Sequence, residues 1–165
     1  MPAVIKKSQT LKLMLAAVLL AGAAFMFRRF LRSENSVSEQ TFFYDLSEKK
    51  LFAVSREAIP PIRGLNDNEE DAVRAVVVAN GDAKNAANRR IAYLEKYAPD
   101  LKKHLEKVRA GQAEPLPRGQ RDGFRLVKRL ADADWHPVNT PEGGKILSEW
   151  NVPGPDGRFP VVCAP

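Results

Sequence analysis

The longest run of apolar residues in the chain lies close to its N-terminus. Leu13 to Phe27 reads LMLAAVLLAGAAFMF, 15 residues without a charge. Three basic residues flank the run on each side: Lys6, Lys7 and Lys12 before it, and Arg28, Arg29 and Arg32 after it. As a helix it covers about 22 Å of the ~30 Å hydrocarbon core, and the aliphatic stems of the flanking Lys and Arg side chains extend it toward the headgroups. The pattern predicts a single transmembrane anchor within residues 1–32.

Two other interpretations of this segment exist, a cleaved signal peptide and a helix buried in a protein core. Ala21-Gly22-Ala23 has the small-x-small form of a cleavage site. The apolar run nevertheless continues to Phe27 and meets two arginines, which favours a retained anchor. Both flanks carry three Lys or Arg, so the positive-inside rule says little about the orientation of this helix in the membrane. We expect the N-terminus inside the cell and the rest of the chain outside the cytoplasm.

The pattern changes after the anchor. Residues 33–40, SENSVSEQ, are polar and predict a short linker. Thr41–Leu46 and Leu51–Val54 are rich in β-forming residues and are separated by a polar turn, which predicts a β-hairpin. Ala72–Ala79, AVRAVVVA, is almost continuously apolar and β-branched, which is typical of a central strand buried on both faces.

The second half of the chain predicts helices and short strands. Apolar residues recur every three or four positions from Lys84 to Ala110, which predicts two helices divided at Pro99, or one helix kinked there. Phe124–Leu130 and Phe159–Cys163 predict strands, the latter at a sheet edge. Between them, Thr140-Pro141-Glu142 is a helix start, and we expect that helix to reach Trp150. We therefore predict one α+β domain over residues 41–165, with a mostly antiparallel sheet packed against helices.

Charge is distributed unevenly and limits the possible partners. All 20 acidic residues follow Arg32, and they balance the 20 Lys and Arg that also follow it. The surplus of +6 therefore belongs to the flanks of the apolar run. A balanced domain lacks the basic face that nucleic-acid binding requires, so we expect no nucleic-acid partner. The predicted partner is the lipid bilayer, contacted through Leu13 to Phe27.

No established catalytic or metal-binding pattern occurs in the sequence. The soft or imidazole ligands are His104, His136 and the single cysteine, Cys163, which we interpret as a half-buried strand residue although an intermolecular disulfide stays possible. No phosphate-binding glycine loop or nucleophile elbow is present. We predict no metal and no cofactor. The candidate ligand-binding residues are Tyr44, Asp134, Trp135 and His136, where aromatic and polar groups concentrate.

Several segments together resemble a family of small, uncharacterised bacterial proteins with a leading membrane segment. They are TFFYDL, LFAV, IPPI, AVRAVVVA, RIAYLEKYAPDLKK, TPEG and VVCAP. The resemblance covers most of Thr41 to Pro165 and implies a shared fold and an envelope location, with no reaction attached. Some members carry cysteines in the loop after the central strand. That loop reads NGDAKN in this chain, so no thiol or metal role transfers to it.

The leading functional hypothesis is a non-catalytic, membrane-tethered interaction or accessory domain of the bacterial envelope. One alternative is a pilin-like filament subunit, although no acidic residue occurs early in the apolar helix, as those subunits require. The other alternative is a membrane-bound enzyme whose site is built from scattered carboxylates and Tyr44. The sequence favours the non-catalytic hypothesis because it lacks a recognisable catalytic set.

Overall fold

A computed structural model describes residues 7–34, 38–66 and 69–165 of the chain. Two compact units are present: the described part of the first is helix α1 (Lys7–Glu34), and the second runs from Ser38 to Pro165. Residues 1–6 of the predicted anchor and residues 35–37 of the predicted linker lie outside the described residues. The described part of the chain contains no helix with the combined length and apolarity that a membrane crossing requires.

The second unit, which we call the body, is an α+β domain. Two strands form an N-terminal hairpin, two more form the centre of the sheet, and three short strands follow. These are β1 (Gln40–Asp45), β2 (Lys50–Ser55), β3 (Ala72–Ala79), β4 (Arg89–Tyr97), β5 (Arg125–Lys128), β6 (His136–Pro137) and β7 (Val161–Val162). Helices α2 (Pro99–Arg109) and α3 (Arg118–Arg121) lie between β4 and β5, and α4 (Pro141–Glu149) lies between β6 and β7.

The strands form one sheet in the order β2-β1-β3-β4-β5-β6, and β7 pairs with β3. Every pairing is antiparallel. The predicted α+β class with a mostly antiparallel sheet is therefore confirmed. The hairpin and the central strand also form where the sequence placed them, and the central strand is buried along most of its length.

Side chains alternate between the two faces of the sheet, and directly paired residues share a face. The first face carries a buried apolar cluster, against which Trp135 packs: Phe42, Val73, Ala75, Val77 and Leu94. We call it the Trp135 face. The second face carries a row of directly paired residues that includes Phe43, Arg74, Glu95 and Val127. We call it the α2 face, because α2 and Arg74 line one cleft there.

Strand β4 corrects part of the sequence prediction, since residues 89–97 were expected to be helical. Val76 pairs with Tyr93 and Val77 with Ile91, so Ala92 is an extra residue that forms a β-bulge. The bulge places Ile91 on the same face as Leu94, although the two are three residues apart. That spacing imitates a helix in the sequence. The second predicted helix is confirmed as α2, which begins at Pro99.

The remaining C-terminal elements agree with the sequence in type and are shorter than expected. Thr140 caps α4, because its hydroxyl oxygen accepts a hydrogen bond from the Gly143 N–H at 3.2 Å, and Pro141 follows it. Strand β5 lies within the predicted strand 124–130. Cys163 follows β7, is partly buried as a free thiol, and packs against the apolar cluster.

The buried carboxylate of Asp45 fixes the end of the β1–β2 hairpin. Its oxygens accept hydrogen bonds from the Glu48 N–H at 2.8 Å, the Leu65 N–H at 2.7 Å and the Ser47 hydroxyl at 2.9 Å. The hydrogen bond from the Glu48 backbone is the largest of the causes that lower the pKa of Asp45, and burial opposes it. The carboxylate therefore connects the hairpin turn to the segment that leads into β3.

Candidate functional site

Two of the four residues that the sequence singled out lie on the same face of the sheet. Tyr44 and Trp135 are partly buried, and both pack against the apolar cluster of the Trp135 face. Tyr44 pairs directly with Val73, which belongs to that cluster. Both aromatic rings therefore contribute to the core on this side.

Asp134 and His136 do not join them in one group. The Asp134 side chain is exposed. His136 lies in β6 and pairs directly with Val127, which places it on the α2 face. The four candidates are therefore distributed over two faces of the sheet and the adjoining loop.

Two lysine side chains lie over the ring of Trp135. The ammonium of Lys96 lies 4.5 Å from the ring centroid and that of Lys128 lies 5.3 Å from it. Burial lowers the pKa of Lys96, and the charge of Lys128 lowers it further. Cation–π contacts of this kind contribute about 0.5–1 kcal/mol at exposed sites. Two of the protein's own cations therefore already lie against this ring.

A charged group that the sequence did not reveal lies on the α2 face. Glu95 is only 4% exposed and lies between two arginines of neighbouring strands. Its Oε1 accepts a hydrogen bond from Arg74 Nη1 at 3.4 Å, and its Oε2 accepts one from Arg125 Nη2 at 2.7 Å. Arg74 also donates to the carbonyl of Ala58 at 3.0 Å. A buried carboxylate is thus paired on both sides, as a charge in a protein interior must be.

Burial and the charge of Glu95 shift the pKa values of two residues beside it, Arg125 and Tyr93. Burial opposes the charge of Arg125, but the hydrogen bond and the charge of Glu95 outweigh it, so the pKa of Arg125 is raised. Burial also raises the pKa of Tyr93, and the negative charge of Glu95 adds to the shift. Glu95 thus pairs with one guanidinium group on each side, those of Arg74 and Arg125.

Two hollows open beside this charged group, and together they form the α2 cleft. The first, of about 380 Å³, has a mostly apolar lining with Arg74 and Arg109 beside it. The second, of about 390 Å³, is more polar and is lined by Arg121, Asp122 and Arg125 among others. Tyr97 and Leu105 line both hollows. A recess that combines apolar residues with a few convergent polar groups is the usual form of a binding site.

A second charged group connects β5 to α4 and has a structural role. The guanidinium of Arg129 pairs with Glu149, with Asp132 at 2.9 Å and with Glu142 at 2.9 Å. Hydrogen bonds to Glu149 and then to Asp132 raise the pKa of Arg129, and the same contacts lower the pKa of both carboxylates. All three carboxylates converge on one guanidinium, so this group ties the N- and C-terminal ends of α4 to the end of β5.

Among the described residues, no group of three or more His, Cys, Asp or Glu side chains is arranged to hold a metal ion. His104 lies on α2 and its Nε2 contacts the carbonyl oxygen of Glu114 at 3.0 Å. No family model, curated protein or solved structure matches the chain.

One residue in the sequence, Arg74, gives a weak indication of the charged group beside the α2 cleft. Arg74 interrupts the otherwise apolar run AVRAVVVA, and a charge inside a buried strand requires a partner. The sequence does not identify that partner, because Glu95 lies 21 residues later and Arg125 a further 30 residues on. Only the pairing of β3, β4 and β5 brings the three residues together.

Proposed function

We propose that the protein is a membrane-tethered interaction protein of the bacterial envelope. In this proposal, α1 inserts into the bilayer and the body binds a partner beside the membrane. The observation that carries the tether is the exposure of large apolar side chains on α1. Val18, Leu19 and Leu20 are 70%, 67% and 71% exposed. Such exposure is costly in water and favourable in lipid.

The apolar side chains of α1 surround the helix instead of forming one stripe. Consecutive helical residues point about 100° apart, so Val18, Leu19 and Leu20 face three different directions. Phe25, Met26 and Phe27 repeat the arrangement two turns later and are 63–74% exposed. A helix that lies flat on a membrane needs a polar face, which this segment lacks. Insertion into the hydrocarbon region is therefore favoured over surface attachment.

The uncharged run is shorter than the roughly 20 residues that a crossing normally uses, so the proposal depends on its flanks. Helix α1 continues for 28 residues, from Lys7 to Glu34, beyond both ends of the run. At ~1.5 Å per residue its backbone measures about 42 Å, which exceeds the hydrocarbon thickness. Lys12 and Arg28 bound the run, and side chains of these types can extend their charges to the headgroups.

A charge in the middle of α1 tests the tether. We expect Leu19→Arg to move the full-length protein from the carbonate-resistant membrane pellet to the soluble fraction. An arginine at the centre of an inserted helix costs about 3 kcal/mol, which is roughly a hundredfold change in partition. Deletion of residues 1–32 is expected to have the same effect.

Leu51→Arg is the matched control, because Leu51 is also apolar and exposed but lies in the body. This variant should stay in the membrane pellet. Pelleting that survives both Leu19→Arg and the deletion would show that α1 is not the tether, and the membrane proposal would then fail.

The α2 cleft is the part of the body that we propose as the partner site. Its first hollow places Ile59, Leu105 and Val108 beside the guanidinium groups of Arg74 and Arg109. Both guanidinium groups already have an acidic partner, Arg74 in Glu95 and Arg109 in Glu57, so the hollow suits a protein segment that offers an apolar side chain. For the enzyme alternative, the described residues offer three carboxyl groups with shifted pKa values, Asp45, Asp132 and Glu149, and each is shifted downward. General acids require the opposite shift.

Site-specific photocrosslinking in native membranes tests the cleft. A photoreactive residue at Val108, inside the cleft, should give a crosslinked protein adduct. The same residue at Lys103, which is exposed on α2 and does not line the cleft, should give none. Equal adducts at both positions, or none at Val108, would remove the cleft as the partner site.

A further inference from the structure

The second hollow of the α2 cleft is lined by Arg121, the last residue of α3. Its side chain is partly buried, and its Nε donates a hydrogen bond to the Leu116 carbonyl at 2.9 Å. This contact uses one of the five N–H donors of the guanidinium group. Among the residues that the structure describes, no carboxylate forms an ion pair with Arg121. The hollow therefore contains a positive charge that is held in place and has no negative partner within the described chain.

The charges around the α2 cleft do not balance. Four arginines line it: Arg74, Arg109, Arg121 and Arg125. Three carboxylates pair with the arginines other than Arg121: Glu57 with Arg109, Glu95 with Arg74 and with Arg125, and Asp122 with Arg125. Asp122 follows Arg121 in the chain, but its Oδ1 lies 3.9 Å from Arg125 Nη1. The described residues of the cleft therefore carry one positive charge in excess, which belongs to Arg121.

The backbone that carries Arg121 is connected closely to the sheet. Strand β5 begins at Arg125, which pairs directly with Tyr97 of β4. Just before β5, the Phe124 carbonyl accepts a hydrogen bond from the Ala98 N–H at 2.8 Å. These contacts fix the chain within a few residues of Arg121. A site that is already arranged before its ligand arrives loses less conformational freedom on binding.

The two hollows of the α2 cleft lie side by side, because Tyr97 and Leu105 line both of them. The first hollow is mostly apolar, with Ile59 and Val108 in its lining, and it suits an apolar side chain. The second hollow offers Arg121, whose planar guanidinium group suits a carboxylate. Such a charged pair is stronger than a hydrogen bond between neutral groups. One segment that lies across both hollows can make the two contacts at once.

We propose that the α2 cleft recognises a protein segment in which a carboxylate lies close to an apolar side chain, and that Arg121 binds the carboxylate. This inference rests on the proposed partner site and assigns the chemistry of the partner. One carboxylate balances the single excess charge of the cleft, whereas a phosphate group carries about −1.5 to −2 at neutral pH. A small free acid would leave the apolar lining of the first hollow unfilled, so a protein segment is the better occupant.

Selection from a peptide library tests this inference with the full-length protein, immobilised in detergent. Each peptide has seven residues, blocked ends and a leucine at the centre. The other positions contain alanine, serine, glutamine, glutamate or phosphoserine at random, and the retained peptides are sequenced. Glutamine has nearly the size and shape of glutamate, so the ratio of the two at each position measures the effect of the negative charge.

Near the leucine, we expect glutamate to be retained at least about tenfold more than glutamine, because a hydrogen bond between charged groups has an effect of that size. Arg121→Gln should abolish this preference. Lys103→Gln is the matched control, because it removes the same charge from an exposed position of α2 that does not line the cleft. It should leave the preference unchanged. The ratio in the unsubstituted protein tests the inference even if Arg121→Gln destabilises the body.

Three other outcomes would overturn the inference. Equal retention of glutamate and glutamine would show that the cleft does not select a carboxylate. A preference for acidic residues that persists in Arg121→Gln would assign the selection to general charge attraction. Phosphoserine retained above glutamate would assign the site to a phosphorylated segment. In each case a crosslinked adduct at Val108 in native membranes would keep the cleft as the partner site, whereas its absence would overturn both proposals.

Discussion

Replacement of Glu95 by alanine should destabilise the body by about 3–5 kcal/mol, the cost of removing one partner from a buried ion pair. Glu95 is 4% exposed and is held by Arg74 and Arg125. Without its carboxylate, the two arginines would face each other across β4 with no negative charge between them. Urea denaturation of the full-length protein in detergent, followed by tryptophan fluorescence, measures this loss.

Glu57→Ala is the matched control for Glu95→Ala, because Glu57 also pairs with an arginine. Its carboxylate lies 2.9 Å from Arg109 Nη2, but its side chain is 77% exposed. Exposed pairs of this kind contribute about 0–1 kcal/mol, so this variant should unfold close to the wild-type midpoint. A loss below about 1 kcal/mol for Glu95→Ala would show that the arginines find water or other partners without it.

Replacement of Gly143 by alanine should cost about 3 kcal/mol, the upper end of what overpacking costs. A Cβ atom at this position would lie 2.1 Å from the Pro137 carbonyl oxygen and 2.9 Å from the Val138 Cα. Both neighbours are backbone atoms, so a rotamer change cannot relieve the clash. Helix α4 would have to move away from β6, which also strains the cap that Thr140 provides.

The neighbouring residue, Gly144, provides a control in which the same substitution should increase the stability of the body. A Cβ atom at Gly144 would meet nothing within 4 Å. Gly144→Ala should therefore stabilise the body by about 0.5–1 kcal/mol, because alanine loses less backbone freedom than glycine in a helix. The same urea denaturation measures both variants. Equal effects of the two substitutions would show that α4 is not packed against Pro137 as described.

Local patterns in the sequence were sufficient to predict several helices and strands of the body. The hairpin, the buried strand β3 and the start of α4 at Thr140 follow from alternation, β-branched residues and capping, which act within a few residues. Strand β4 did not follow from such patterns. Its bulge at Ala92 gives Ile91 and Leu94 the spacing of a helix face, and only pairing with β3 and β5 identifies it as a strand.

The sequence by itself determined the uneven distribution of charge, the apolar run of α1, and the α+β class of the body. These properties depend on composition and on short-range periodicity. The tertiary structure alone decided which charged residues meet. It joined Arg74, Glu95 and Arg125 on the α2 face, and it placed Trp135 and His136 on opposite faces of the sheet. Such contacts depend on strand order and register, which are set by packing between segments far apart in the chain.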